Sequence, residues 1–268
     1  MLSNDDLLKF TVSLAKEAGD IQMNFFGRIN NTEKKSTAID LLTEADKKSE
    51  KHIIENIKGN YSNHSILSEE IGEINNKSEY KWVIDPLDGT TNFVHNLPIF
   101  AVSIGLQKNN KTILGVVYNP AANKCFYAEA NKGAFLNGKI IQTRSNKELS
   151  HSLIATGFPY IHDKKYDVSF KIFKKFYDNS RGVRRLGAAS LDLCFVAMGR
   201  FDGFYEFGLK PWDICAGSLI VKEANGIVSD WDCKKLPFSG DRILACSNNQ
   251  IHKAMSTELM KEKYSLFF

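Results

Sequence analysis

Two textures divide this chain, and their junction constrains the fold more than any single motif. From Trp82 to Gln142 the sequence runs in short β-rich segments: Trp82–Ile84, Ala101–Gln107, Thr112–Tyr118, Lys124–Ala130 and Ala134–Leu136. Asn109-Asn110, Asn119-Pro120 and Asn137-Gly138 fall between them, the punctuation of an antiparallel meander. Beyond the polar stretch Thr143–Ser150 strands and helices alternate. Leu153–Thr156, Gly182–Leu186, Phe201–Glu206, Ile227–Ser229 and Ile243–Cys246 read as strands. The helices fall near Lys164–Tyr177, at Ala188–Met198, at Trp212–Ala224 and after Asn248. That alternation is an α/β pattern. Ahead of both textures, Leu7, Phe10, Leu14, Ala18, Ile21 and Phe25 recur at helical spacing, with Ser3 and Asp6 as a capping box, so residues 4–26 read as an amphipathic helix. A second helix is expected from Thr43 to Lys58, stopped by Gly59. The fold class is α/β, with an α+β first half over 1–142 and an α/β second half over 143–268.

Composition narrows the function. At 268 residues with 43% hydrophobic and 25% charged side chains, a sizeable core can form, which excludes disorder and coiled coils. No apolar run approaches the roughly 18 residues of a membrane span. The charged N-terminus leaves no stretch for a secretory signal, so a cytoplasmic protein with no membrane partner is expected. Thirty-five basic against thirty-one acidic residues give a scattered +4, too dilute for a dedicated nucleic-acid binder. Five cysteines with no C-x-x-C pair argue against zinc ribbons and redox dithiols, and buried reduced thiols are expected. Gly133–Lys139 fits the start of a P-loop, but Ile140 stands where a hydroxyl must bind Mg²⁺, and Asn137-Gly138 reads better as a hairpin turn. Arg184-Arg185 reads as a solvated strand edge or an interface.

The chemistry concentrates in Trp82-Val83-Ile84-Asp85-Pro86-Leu87-Asp88-Gly89-Thr90-Thr91-Asn92-Phe93. An apolar strand ends in a carboxylate, turns through proline, offers a second carboxylate and then Gly-Thr-Thr. Two aspartates on one turn can aim oxygens at a hard cation such as Mg²⁺, and the Leu87 carbonyl can join them. A helix starting after Gly89 would turn free N–H groups to a phosphate at the same place. Cation beside anion is the arrangement that phosphoryl transfer needs.

This segment resembles the D-P-[IL]-D-G-T signature of the inositol monophosphatase family, Mg²⁺-dependent and lithium-sensitive phosphatases. Three further regions match in order. Lys35–Asp46 is similar to K-x-x-x-D-x-[VL]-T-x-x-D, and Ser68-Glu69-Glu70 stands where the family has G-E-E. Trp212–Gly217, continuing to Glu223-Ala224-Asn225-Gly226, matches W-D-x-A-[AG]-G…E-A-G-G. Ser68 and Asn225 replace family glycines; both remain compatible with the expected backbone.

The resemblance implies a layered αβαβα sugar-phosphatase fold, a homodimer and two or three Mg²⁺ ions per site. Glu69, Asp85 and the Leu87 carbonyl would hold the first cation. Asp85, Asp88 and Asp213 would hold the second, with Glu69 serving a loosely bound third. Gly89 and Thr90 would donate backbone N–H groups to phosphate, and Thr90 with Asp46 would orient the attacking water. Taken alone, Asp46 reads as the capping acid of its helix. Glu206, Asp213 and the stretch Gly187-Ala188-Ala189 would meet the substrate's hydroxyls. The expected reaction is hydrolysis of a small phosphorylated polyol, inositol 1-phosphate first. Fructose 1,6-bisphosphate, a nucleotide 3′-phosphate and NADP are alternatives. A rival of another class is an RNA-associated regulatory role with the transcription machinery, which the mild basicity permits without arguing for it.

Overall fold

The computed structural model describes residues 4–27, 44–159 and 164–263. Ser3, the stretch Lys35–Asp40 and Thr43 lie outside the described residues.

Helix α1 (Asn4–Met23) and helix α2 (Glu44–Asn60) open the chain. They are followed by β1 (Ser65–Ser68), β2 (Gly72–Ile74), β3 (Tyr80–Asp88) and the short α3 (Thr90–Val94). Next come β4 (Ala101–Lys108), β5 (Lys111–Asn119), β6 (Lys124–Glu129), β7 (Ala134–Leu136) and β8 (Lys139–Ile141). The second half holds β9 (Leu153–Thr156), α4 (Lys164–Asn179), β10 (Gly182–Arg184), α5 (Ala189–Ala197) and β11 (Gly203–Phe207). It ends with α6 (Pro211–Glu223), β12 (Ile227–Ser229), β13 (Arg242–Cys246) and α7 (Asn249–Lys263). No helix among the described residues is long and apolar enough to cross a membrane.

Strands β1 to β8 form one sheet in the order β2-β1-β3-β4-β5-β6-β7-β8, and the other five form a second in the order β10-β9-β11-β13-β12. From β3 to β8 each strand pairs antiparallel with the next, as the asparagine punctuation predicts. Asn137 and Gly138 both adopt positive φ between β7 and β8, the hairpin turn that displaces the P-loop reading. Arg184 lies exposed on β10, an edge strand of the second sheet.

The strands' two-residue side-chain period sorts the core into layers. Val102, Ile104 and Leu106 of β4 pack with Leu7, Leu14, Ile53 and Ile57 of α1 and α2. The opposite face of that sheet, through Ala101 and Val117, packs on Leu191 and Val196 of α5 and Ala216 and Ile220 of α6. Those two helices also carry Phe204, Ile243 and Ala245 from the second sheet. The alternate residues Tyr205, Leu244 and Cys246 face Val168, Ile172, Ile251 and Met255 of α4 and α7. The result is an αβαβα sandwich with α5 and α6 at its centre.

Three expectations are corrected and two strands are added. Helix α2 runs through Gly59 to Asn60, because a Cβ-less residue near a helix end costs only about 1 kcal/mol and nothing crowds it there. Strands β1 and β2 have no counterpart in the sequence reading and add to the edge of the first sheet. Cys233 is exposed, whereas the other four cysteines are buried. Asp85–Asp88 is not a turn after a strand; it is a bulge within β3, described next.

Candidate active site

The bulge creates the site. Asp85 pairs with Ser103 and Asp88 with Ala101, so three steps along β3 match two along β4. In a regular strand, residues three apart face opposite sides. The inserted residue cancels that, because Ser103 and Ala101 share a face, and both aspartates therefore point to the same side. The Leu87 N–H donates to Asp85 Oδ1 at 3.0 Å, and Gln22 of α1 donates to the Pro86 carbonyl at 2.6 Å, so both intervening residues are pinned.

Glu69 is brought in by register. Strand β1 pairs parallel to β3 with Ser68 opposite Ile84, and the Glu69 N–H continues the ladder to the Ile84 carbonyl at 3.2 Å. The next residue on β3 is Asp85, so the Glu69 and Asp85 carboxyl groups are near neighbours. Asp213 arrives from the far half, in the first turn of α6, where its Oδ2 accepts the Lys210 N–H at 2.6 Å. Ser103, directly across from Asp85, donates to the Trp212 carbonyl at 3.4 Å and so ties the start of α6 to the bulge.

These four carboxyl groups act on one another. Burial raises the Asp85 carboxyl well above the usual range, reinforced by repulsion from Glu69, Asp88, Asp213 and Asp46. Asp213 is pushed up to about 8, chiefly by desolvation and against the Lys210 bond, and Glu69, at the solvent-reaching mouth, to about 7 by the same desolvation and the charge of Glu70. Asp88 rises only to about 6, because burial is opposed by hydrogen bonds from Ser190 and from the first N–H groups of α5. Ser190 donates twice to Asp88 Oδ2, from its N–H at 2.8 Å and from its hydroxyl at 2.5 Å. Asp46, in the first turn of α2, is pushed to about 8 by burial and by Glu70, Glu69 and Glu50, so it faces the same acidic cleft rather than only capping its helix.

The rest of the expected site surrounds this cluster. Thr90 Oγ1 donates to the Leu87 carbonyl at 3.0 Å. Gly89 has φ +89°, and a Cβ there would fall 2.8 Å from the Ile99 carbonyl and 3.2 Å from the Ala188 methyl. Ala188, just ahead of α5, thus abuts Gly89. Asn92, buried on α3, donates at 2.8 Å to both the Ile99 and Leu186 carbonyls and holds the Gly187 segment against it. Glu206 on β11 lies against Gly157 and is raised to about 8 by burial and by Asp213, with Arg185 opposing. Sequence reasoning missed Ser190, Asn92, Gln22 and Glu50, which contact the site through residues distant in the chain.

The donor set is carboxylates and backbone carbonyls, with no histidine or cysteine among the clustered groups. Among the described residues, no ion pair neutralises Glu69, Asp85, Asp88 or Asp213, and no three such side chains already close into a formed cage. Hard oxygen donors of uncompensated negative charge fit a hard divalent cation such as Mg²⁺.

The fold matches a solved inositol monophosphatase from Anabaena (Nostoc) with a TM-score of 0.86, at 39% identity over 97% of each chain. The chain belongs to the inositol monophosphatase family, whose model matches residues 3–264. It is 42% identical to an inositol-1-monophosphatase of Synechocystis, over 94% of this chain and 88% of that protein. It is also 39% identical to a Nus factor SuhB of Haemophilus influenzae, over 93% and 94%. The family is a family of phosphatases that are generally metal-dependent and act on small phosphorylated molecules.

Proposed function

We propose that the protein hydrolyses the phosphomonoester of a small polyol, inositol 1-phosphate first, with Mg²⁺. The observation that carries this reading is the convergence of Glu69, Asp85, Asp88 and Asp213, from the end of β1, the β3 bulge and α6, beside the Gly89-Thr90 turn. Glu69, Asp85 and the Leu87 carbonyl would hold one cation. Asp85, Asp88 and Asp213 would hold a second, with Glu69 at a looser third. When bound, the cations neutralise phosphate charge, favour ionisation of water and stabilise the leaving alkoxide.

The chain's own groups do the rest. Gly89 and Thr90 offer backbone N–H groups to the phosphate oxygens. Thr90 Oγ1, whose proton is committed to the Leu87 carbonyl, keeps lone pairs to accept from the attacking water, with Asp46 as the acid–base partner behind it. Glu206 accepts a substrate hydroxyl, and Gly187, Ala188 and Ala189 line the same side. Residues 1–142 supply most of the cation site, and residues 143–268 complete it with Asp213 and the polyol contacts.

Relative kcat/KM for inositol 1-phosphate, fructose 1,6-bisphosphate, a nucleotide 3′-phosphate and NADP, each with Mg²⁺ and with chelator, tests the reading. Inositol 1-phosphate should lead, and chelation should abolish turnover. Preference for a bisphosphate or nucleotide would reassign the substrate, and turnover in chelator would remove the cation. A second reading is favoured by the likeness to a protein named Nus factor: a transcription-associated role beside the phosphatase activity. RNA binding whose affinity falls steeply with salt would support it.

A further inference from the structure

Glu50 is a buried carboxylate that no step above uses. It lies on α2 one turn after Asp46, is 5% exposed, and forms no ion pair among the described residues. Its Oε1 accepts three hydrogen bonds: from the Ser68 hydroxyl at 2.5 Å, the Glu70 N–H at 3.3 Å and the Ile71 N–H at 3.2 Å. All three donors flank Glu69, on both sides of it, and Glu69 itself is left out. The Glu69 N–H is held separately by the Ile84 carbonyl. The segment carrying Glu69 is therefore gripped from β3 on one side and from α2 on the other.

We propose that Glu50 is a positioning residue, which fixes the Glu69 carboxylate at the cation site by clamping Ser68, Glu70 and Ile71. The inference rests on the reading of Glu69 as a cation ligand. A carboxylate makes a strong clamp, because its charge strengthens all three bonds, but no cation among the described residues pairs with it. Here the negative charge also acts on Asp46, Glu69 and Glu70, where it opposes folding of the metal-free protein. That repulsion is offset when a cation arrives, so Glu50 both aims Glu69 and deepens the field the cation enters. Ser68 is part of the device: the residue that replaces a family glycine supplies the shortest of the three bonds.

The test is calorimetric titration of Mg²⁺ alone into the whole protein, with metal-free Tm and kcat and KM alongside. Glu50→Ala should weaken Mg²⁺ binding about 10- to 100-fold, the range for groups that orient a metal ligand. Its activity should recover at high Mg²⁺. Glu50→Gln keeps an acceptor at the same place and should lose less than Glu50→Ala, while Ser68→Ala, which leaves two of the three bonds, should weaken binding measurably even if Glu50→Ala does not fold. Unchanged Mg²⁺ affinity in both Glu50→Ala and Ser68→Ala, or a lowered metal-free Tm with unchanged affinity, would overturn the proposal. Glu69→Gln separates the two failures. If it too binds Mg²⁺ normally, the ligand reading has failed and this inference with it; if it binds weakly while Glu50→Ala does not, only the positioning role has failed.

Discussion

Glu206 carries the substrate question at the scale of single residues. Its carboxyl is raised to about 8 by burial and by Asp213, and in its ionised form it can accept a strong hydrogen bond from a polyol hydroxyl. Glu206→Gln should therefore lose roughly ten- to a hundredfold in kcat/KM on inositol 1-phosphate at pH 9, the worth of a bond of about 1.5–3 kcal/mol. A small artificial phosphoester, measured in parallel, should be nearly unaffected. Equal losses on both would place Glu206 in support of the cation site. Asp85 and Asp88 are candidates from the chemistry of their own motif, whereas Glu69, Asp213 and Glu206 are named only through the family resemblance, since each alone reads as a loop acid, a helix cap or a strand-end surface residue. Ser190 could not be named: it reaches Asp88 across 102 positions, and a serine before an apolar helix reads as ordinary packing. Glu50 was hidden for the same reason, as one more acid on a charged helix face.

Whole elements position these residues, and they were legible only in part. Helical periodicity located α1 to within a few residues, because it buries one face; α5 and α6, buried on nearly every side between the two sheets, are legible only as apolar segments alternating with strands. The bulge in β3 was only half legible: Pro86, which cannot donate to the ladder, marks an irregularity, but the register shift itself is set by pairing with β4. The docking of α6 was hidden. Gly105 and Gly115 pair across β4 and β5, and a Cβ at Gly115 would sit 2.8 Å from the Ala216 carbonyl oxygen and 2.9 Å from its Cα. The backbone of α6 thus lies directly on the sheet, which sets how far Asp213 projects over Asp85. Gly115→Ala should push α6 outward at about 1–3 kcal/mol of overpacking. Thermal unfolding should show this as a Tm several degrees lower, at roughly 2–4 °C per kcal/mol for a chain of this size. Mg²⁺ affinity should fall with it. An unchanged Tm would mean that α6 does not rest on that glycine.

For the molecule as a whole, the acidic cleft links stability to pH and to cations. Asp46 and Asp213 at about 8, Glu69 at about 7 and Asp88 at about 6 all lie above their unfolded values near 4. The folded state therefore binds more protons than the unfolded one across this window. The stabilisation these groups contribute is complete below about pH 4 and is lost as pH rises through 6 to 8. Metal-free protein should show a falling Tm from pH 6 to pH 8.5, and the rise in Tm on adding Mg²⁺ should grow over the same range, since cation binding displaces those protons. A metal-free Tm that climbs with pH, with a constant Mg²⁺ increment, would contradict the linkage.

That cleft exists only when both halves of the sandwich are assembled, because Asp213 comes from α6 and its partners from β3 and the end of β1. The most direct measurement is kcat/KM for inositol 1-phosphate against Mg²⁺ concentration, in the wild-type protein and in Asp213→Asn. The wild type should turn over only with Mg²⁺, and Asp213→Asn should lose at least about a hundredfold, a few kcal/mol of transition-state stabilisation, while remaining folded. Turnover by Asp213→Asn within about tenfold of wild type, roughly 1.4 kcal/mol, would contradict the assignment of this cleft as the cation site.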